Sequence, residues 1–215
     1  MSASDTTSAL AYPATTPVSH AAFVLAHGAG AGQESGFITG FARGLCALGV
    51  DVLTFNFLYT EQRRRVPDRT EKLEACYRAV IAAARQHFGR GGVFIGGKSM
   101  GGRIATHLAA ADDAGTLAIQ GVVALGYPLH PPGKPQQLRA EHLPRIKVPM
   151  LIVQGERDPF GTPDELRPIL RALTTPVTLH VVEGGDHSLA PSRKTTAPST
   201  YGQLQHFIAE WMKDV

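Results

Sequence analysis

The sequence predicts an α/β domain built on a doubly wound, mostly parallel sheet of six strands flanked by helices. Short apolar runs, which are typical of strands buried on both faces, alternate along the chain with longer stretches of helical periodicity. Many of the 23 glycines lie between these segments, where sharp strand-to-helix turns would need them. Right-handed crossovers would then place helices on both faces of the sheet.

The elements follow in order along the chain. Strands are predicted at residues 21–26, 50–57, 93–95, 121–127, 150–154 and 177–182. Helices are predicted at residues 37–48, 70–88, from Met100 onward, 164–173 and 201–212, and residues 136–143 would allow a short one. Residues 1–17 are rich in Ser, Thr, Ala and Pro, so we expect a flexible N-terminal segment followed by one domain over residues 18–215.

Composition and charge exclude several classes of function. The formal net charge is +3, but the basic residues are scattered apart from Arg63-Arg64-Arg65, with no interleaved aromatic residues, so no nucleic-acid partner is expected. No run of 18 apolar residues predicts a membrane span, and the N-terminus lacks a signal peptide, so we expect a cytoplasmic protein. The two cysteines, Cys46 and Cys76, show no metal-binding spacing, so no metal or other cofactor is expected.

The strongest chemical signal is a serine between glycines. The run Gly96-Gly97-Lys98-Ser99-Met100-Gly101-Gly102 directly follows the strand at 93–95 and begins a helix. A nucleophilic serine on such a strand–turn–helix is held with its hydroxyl exposed, and the flanking glycines avoid collisions with the neighbouring strand and helix. Ser99 is therefore the candidate nucleophile.

A phosphate-binding loop is the competing interpretation of the same residues. The segment 92–99 fits the pattern G-x-x-x-x-G-K-S. In a phosphate loop the four variable residues curl around the phosphates after the strand has ended, whereas here Val93, Phe94 and Ile95 are predicted to be the strand itself. A magnesium-binding Asp after a later strand is also missing at Gly126-Tyr127. The pattern therefore favours the nucleophile.

A serine nucleophile needs a base, and the base needs an orienting carboxylate. Asp158 follows the strand at 150–154, and His187 follows the strand at 177–182. Together with Ser99 they occur in the order Ser, acid, His. Glu156 is a rival acid that lies closer to the strand end. Because parallel strands bring their carboxyl ends to one edge of the sheet, we expect Ser99, Asp158 and His187 to form a catalytic triad.

Backbone donors for an oxyanion are expected on two loops. The N–H of Met100 follows the nucleophile, and the N–H of Ala29 lies in the glycine-rich loop after the first strand. Six further residues lie on loops at the predicted active-site edge and are expected to bind substrate. They are His27, Gly28, Tyr59, Arg63, Tyr127 and His130.

Five motifs together give a resemblance to a known family. They are His27-Gly28-Ala29-Gly30, the glycine-flanked serine run, the Gly-Tyr-Pro-Leu-His-Pro-Pro segment at 126–132, the Gln-Gly-Glu-Arg-Asp segment at 154–158, and Gly185-Asp186-His187-Ser188. The chain resembles the α/β-hydrolase superfamily over residues 20–213. More narrowly, it is similar to a branch of small, lidless hydrolases distantly related to dienelactone hydrolases, which includes a testis-expressed protein and a chromatin-complex subunit of animals.

The resemblance implies a minimal α/β-hydrolase fold with no cap domain, beginning at what would be the third strand of the full fold. It also implies Ser99, Asp158 and His187 as the triad, and Ala29 and Met100 as oxyanion donors. Dienelactone hydrolases use a Cys nucleophile where this chain has Ser99, so their substrate is not carried over.

We therefore expect a serine hydrolase, a carboxylesterase that acts on small or short-chain esters through an acyl-enzyme. The expected partner is the ester substrate, and the protein would be a monomer or a homodimer. Two alternatives stay open. One is an interaction or scaffold protein that keeps the hydrolase fold without turnover, and the other is an acyltransferase or perhydrolase.

Overall fold

The computed structural model describes residues 6–18, 21–89, 91–190 and 197–215. The strands are β1 (Ala9–Tyr12), β2 (Ala21–Ala26), β3 (Val52–Phe55), β4 (Gly92–Lys98), β5 (Ile119–Leu125), β6 (Met150–Gly155) and β7 (Val177–Val182). The α-helices are α1 (Gly36–Ala47), α2 (Leu58–Glu61), α3 (Thr70–Phe88), α4 (Met100–Ala111), α5 (Pro163–Arg171) and α6 (Ala197–Asp214). A short 3₁₀ helix covers Leu143–Arg145. None of the helices in these ranges is long and apolar enough to cross a membrane.

The seven strands form one sheet in the order β1-β3-β2-β4-β5-β6-β7, and β1 alone is antiparallel to its neighbour. β2 lies between β3 and β4. The chain goes from β2 to β3 on one side and then crosses to β4 on the other side, so the strand order reverses between β2 and β4. Ligands of open α/β sheets bind outside the carboxyl ends of the strands at such a point. The loops after β2 and β4 therefore lie at the position where a ligand is expected.

The predicted α/β class is confirmed, but the predicted count of six strands is wrong by one. β1 lies inside residues 1–17, which were expected to be flexible, and it pairs with β3 in the register Ala9 to Phe55 and Tyr12 to Val52. Its four residues, Ala9-Leu10-Ala11-Tyr12, are apolar but mostly exposed, and they lie in a segment rich in Ser, Thr and Pro. β1 is held instead by backbone hydrogen bonds, which do not depend on side-chain type.

The core has one apolar layer on each face of the sheet. In β2, Val24 and Ala26 pack into the layer under α3, α4 and α5, whereas Phe23 and Leu25 pack into the layer under α1 and α6. All six residues of β2 are buried, as expected for a central parallel strand. The two layers fix the sheet between its helices and so hold the strand ends that carry the polar residues.

Candidate active site

Ser99 lies on a sharp turn between β4 and α4. Its φ of 50° and ψ of −114° are a conformation that residues with side chains rarely adopt. The Ser99 N–H donates a hydrogen bond of 2.9 Å to the carbonyl of Leu125, which ties the turn to the end of β5. Backbone strain of this kind persists only where the surroundings impose it. Residues 93–97 are strand and do not form a loop, so the phosphate-loop interpretation is wrong.

Glycines around Ser99 allow backbones to come close together. A Cβ at Gly97 would lie 2.3 Å from the carbonyl oxygen of Ala26, and a Cβ at Gly101 would lie 2.6 Å from the same atom. Both distances are far inside van der Waals contact, and the obstacle is rigid backbone of β2. Any side chain at either position would therefore push the nucleophile turn away from the sheet.

The imidazole of His187 lies between Ser99 and Asp158. His187 Nε2 is 2.8 Å from Ser99 Oγ, and His187 Nδ1 is 2.8 Å from Asp158 Oδ2. Because a buried carboxylate can only accept at Nδ1, that nitrogen carries the proton and Nε2 is left to accept one from the serine hydroxyl. The ring is held in the tautomer that a general base needs.

Asp158 is almost completely buried, with 1% of its surface exposed. Its Oδ1 accepts the N–H of Phe160 at 2.8 Å, and its Oδ2 accepts from Nε2 of Gln154 at 3.0 Å as well as from His187. These donors compensate the carboxylate for its lost hydration. The rival acid Glu156 points elsewhere, because its Oε2 accepts the N–H of Gly184 at 2.7 Å.

The loop after β2 passes directly against the nucleophile. A Cβ at Gly28 would lie 3.5 Å from Ser99 Cβ and 3.3 Å from the carbonyl oxygen of Lys98. Ala29 follows Gly28 in the wall of the cleft beside Ser99. On the other side of Ser99, Met100 is the first residue of α4, and the N–H groups of a first helical turn have no partner within the helix.

His27 supports the backbone of this loop and does not line the cleft. Its side chain is fully buried, Nε2 accepts the N–H of Phe57 at 3.1 Å, and Nδ1 donates to the carbonyl of Gly28 at 2.8 Å. Burial lowers the pKa of His27, which keeps the ring neutral. Because the C=O and N–H of one planar peptide point in opposite directions, holding the Gly28 carbonyl also sets the direction of the Ala29 N–H.

Of the other residues expected to bind substrate, Gly28 lines the cleft and the rest do not. Tyr59 is buried among the rings of His27 and Phe57, and Tyr127 is buried with its hydroxyl donating to the Arg139 carbonyl at 2.6 Å. His130 is also buried, with Nε2 3.2 Å from a Glu165 carboxylate oxygen. Arg63 lies on an exposed turn with a φ of 54°. The structure thus places these side chains outside the cleft, because the position of a residue after a strand does not determine where its side chain points.

The cleft beside Ser99 has a volume of about 430 Å³, and most of its lining residues were not predicted from the sequence to bind substrate. Its wall includes Ala31, Ser35, Phe37, Ile38, Lys98, Asp186 and Ser188. Four of these belong to the segment that enters α1 or to its first turn, directly after the glycine-rich loop. The other three, Lys98, Asp186 and Ser188, are adjacent in sequence to Ser99 or His187, so in each case adjacency to a predicted site residue was the signal. Within the described residues, no group of three or more His, Cys, Asp or Glu side chains could hold a metal ion.

Two residues that contact the triad and hold it in place were not predicted from the sequence. Phe160 packs its ring against the His187 imidazole, with 4.2 Å between the centroids and 30° between the planes. Gln154 accepts the N–H of Tyr127 at 2.7 Å while donating to Asp158 and to the Gly161 carbonyl. A polar residue at the end of an otherwise apolar strand was the signal for Gln154.

Solved structures of known proteins share the fold of this chain. A serine hydrolase homologue from Coxiella burnetii is 16% identical with a TM-score of 0.74, over 95% of this chain and 90% of that one. A serine hydrolase without a lid from Xanthomonas campestris is 22% identical with a TM-score of 0.74, over 95% and 89%. Dienelactone hydrolase from Anabaena variabilis is 20% identical with a TM-score of 0.69, over 97% of each chain.

These likenesses establish the fold. Residues 19–214 match the family model described as alpha/beta hydrolase domain, which spans nearly the whole chain. The chain belongs to the alpha/beta hydrolase family.

Proposed function

We propose that this protein is a serine hydrolase that cleaves small carboxylic esters. The observation that supports the proposal most strongly is the placement of the His187 imidazole 2.8 Å from both Ser99 Oγ and Asp158 Oδ2. A scaffold protein would have no need of a strained serine, a buried carboxylate and a histidine in the tautomer that joins them. Ser99 is the nucleophile, His187 the general base and Asp158 the orienting acid.

Catalysis proceeds in two halves. The Ser99 oxygen attacks the ester carbonyl carbon as its proton passes to Nε2 of His187, and the carbonyl oxygen becomes an oxyanion that accepts from the N–H groups of Met100 and Ala29. Collapse of this intermediate breaks the bond to the alcohol, which takes the proton from His187. Water then attacks the acyl-enzyme with His187 again as base, and Ser99 recovers its proton as the acid product leaves.

The form of the cleft favours a small acyl group. The segment between β5 and β6, residues 126–149, contains only the 3₁₀ turn Leu143–Arg145 as regular helical structure, so it does not build a cap over Ser99. The cleft volume of about 430 Å³ lies at the lower end of the usual range for small-molecule sites. Without a lid, a long acyl chain would remain exposed to water and would add little binding energy.

The test is hydrolysis of p-nitrophenyl esters from acetate to decanoate by the wild type, Ser99→Ala and the control Thr174→Ala, which also removes one hydroxyl. Thr174 is exposed just before β7, outside the cleft. We expect kcat/KM to be highest for the shortest chains, and Ser99→Ala to lose about 10⁴-fold or more in kcat because no second hydroxyl replaces the nucleophile. Thr174→Ala should match the wild type.

The proposal fails if Ser99→Ala hydrolyses the esters as fast as the wild type. It also fails if the wild type neither turns over any of them nor reacts with a fluorophosphonate. Transfer of the acyl group to an added alcohol or to peroxide in preference to water would replace hydrolysis with acyl transfer and keep the same nucleophile.

A further inference from the structure

Lys98 lies in the nucleophile turn but reaches the loop that carries the base. It is the last residue of β4 and directly precedes Ser99. Its ammonium Nζ lies 2.5 Å from the backbone carbonyl oxygen of His187. The two residues are far apart in sequence and are joined across the top of the sheet, so this contact connects two segments that each carry part of the triad.

The surroundings keep the ammonium in this position. A Cβ at Gly126 would lie 2.8 Å from Lys98 Nζ, so the ammonium occupies the space that a side chain at the end of β5 would need. The Phe37 ring centroid lies 5.9 Å from Nζ on the side of α1. The side-chain stem passes close to Gly28, since a Cβ at Gly28 would lie 3.7 Å from Lys98 Cγ. Lys98 is therefore packed among the end of β5, the first turn of α1 and the glycine-rich loop after β2.

The charges around Lys98 favour a retained proton at neutral pH. Burial lowers the pKa of Lys98 to about 8, and the nearby carboxylates of Asp158 and Asp186 act in the opposite direction. The His187 imidazole belongs to the same loop as Asp186 and is the other titratable group at this place. An ammonium donates a stronger hydrogen bond to a carbonyl than a neutral amine does.

We propose that Lys98 is a positioning residue, whose ammonium holds the His187 carbonyl and so fixes the loop of the base relative to the nucleophile turn. The inference rests on the proposed hydrolase function. Ser99 and Lys98 are consecutive residues of a turn that the sheet makes rigid, whereas His187 lies on a loop. A contact from the turn to the backbone of His187 sets the distance between Nε2 and Ser99 Oγ directly.

The expected effect is on chemistry more than on binding. A displacement of about 1 Å in a reacting group can cost about 100-fold in rate. Loss of the ammonium should therefore lower kcat by about 10- to 100-fold while KM for a short neutral ester stays within about twofold. Reaction of Ser99 with a fluorophosphonate should slow by a similar factor, because that reaction also needs His187 as base.

The experiment compares Lys98→Met, Lys98→Arg and the control Lys72→Met with the wild type on p-nitrophenyl acetate. Methionine keeps an apolar side chain but has neither the positive charge nor the hydrogen-bond donors of lysine. Arginine keeps the charge and the donors. Lys72 is exposed on α3 and its substitution should change nothing. We expect Lys98→Arg to retain activity within about fivefold of the wild type and Lys98→Met to lose it, with thermal unfolding used to confirm that each variant is folded.

A pH profile gives a readout that a merely structural role would not move. Wild-type kcat should decline as pH rises through about 8, because Lys98 then loses its proton and its stronger hydrogen bond. Lys98→Arg should keep its activity to higher pH, since guanidinium stays charged. This comparison needs no methionine variant, so it holds even if Lys98→Met does not fold.

Two results would overturn the inference. One is a folded Lys98→Met with wild-type kcat and wild-type labelling rate. The other is a Lys98→Arg profile that declines through the same pH range as the wild type. Both leave the proposed function standing, because Ser99 would still react. A wild type that neither turns over esters nor reacts with the phosphonate would instead remove the proposed function and this inference together.

Discussion

At the scale of single residues, the candidate triad is a set of hydrogen bonds in which Ser99, His187 and Asp158 each have a defined role. Asp158 accepts from three donors and stays buried as a carboxylate. His27 is buried too, but it is neutral and donates to the backbone of the loop beside Ser99. Both side chains are almost completely buried, but they have different hydrogen-bond partners. Asp158 therefore orients the base, whereas His27 supports a loop.

Replacing Asp158 by Asn should leave the shape of the site almost intact but change the tautomer of His187. The Asn amide can donate toward Nδ1, so Nε2 would carry the proton and could not accept from Ser99. We expect kcat for a short p-nitrophenyl ester to fall by about 10³- to 10⁴-fold with KM little changed.

The control for this substitution is Asp164→Asn, since Asp164 is exposed in the first turn of α5 and forms its ion pair with Arg167, not with His187. It should retain wild-type kcat. A fall of less than about tenfold in Asp158→Asn would show that Asp158 does not hold the imidazole tautomer.

At the scale of secondary-structure elements, α3 stabilises the strands that end at the site through one buried side chain. The Tyr77 hydroxyl lies 2.7 Å from the carbonyl of Val24 in β2 and 2.6 Å from the carbonyl of Gly96 in β4, and it accepts the N–H of Gly96 at 2.9 Å. Burial raises the pKa of Tyr77, so the hydroxyl remains protonated and able to donate. β2 and β4 are the strands that lead into the glycine-rich loop and the nucleophile turn.

Tyr77→Phe removes a single oxygen atom, but we expect it to lower the free energy of unfolding. The change leaves the N–H of Gly96 buried without its acceptor, which costs about 1–3 kcal/mol. Urea unfolding measures the free energy of unfolding. Tyr12→Phe is the control, because Tyr12 is only partly buried on β1, and it should stay within about 0.5 kcal/mol of the wild type. Equal stability of Tyr77→Phe and the wild type would contradict this role.

At the scale of the whole molecule, a pair of histidines in contact, one buried and one half-buried, links stability to pH. His107 on α4 and His142 beside the 3₁₀ turn lie with ring centroids 4.0 Å apart. Burial lowers the pKa of His107 to about 4 and that of His142 to about 3, with the nearby charges of Arg103 and Arg145 acting in the same direction. Both rings are therefore neutral in the folded protein at pH values where the unfolded chain binds protons.

Stability from this pair is fully present above pH 6.5, the ordinary pKa of the unfolded histidine, and is lost as pH falls to about 4 for His107 and to about 3 for His142. We expect the free energy of unfolding to fall by about 1 kcal/mol per pH unit for each histidine below about pH 6. His107→Gln should flatten this slope, whereas the exposed His206→Gln should not. Identical slopes in wild type and His107→Gln would contradict the account.

The same scale shows how much could be predicted from the sequence. Apolar runs and glycine-rich turns predicted the central sheet, and the order of Ser99, Asp158 and His187 after successive strands predicted that they would meet. β1 was not predicted, because its short run Ala9–Tyr12 is set among Ser, Thr and Pro residues and is an exposed edge strand held by backbone pairing. The directions of Tyr59, Tyr127 and His130 could not be found either, since they depend on packing between distant segments.

The central claim is that Ser99 is a nucleophile activated by His187. Mass spectrometry of the intact protein after reaction with a fluorophosphonate tests it most directly, with digestion to locate the adduct. The account predicts one adduct per chain on Ser99 in the wild type, a strongly slowed reaction in His187→Ala, and none in Ser99→Ala. An adduct on another residue, or equal labelling of the wild type and Ser99→Ala, would contradict it.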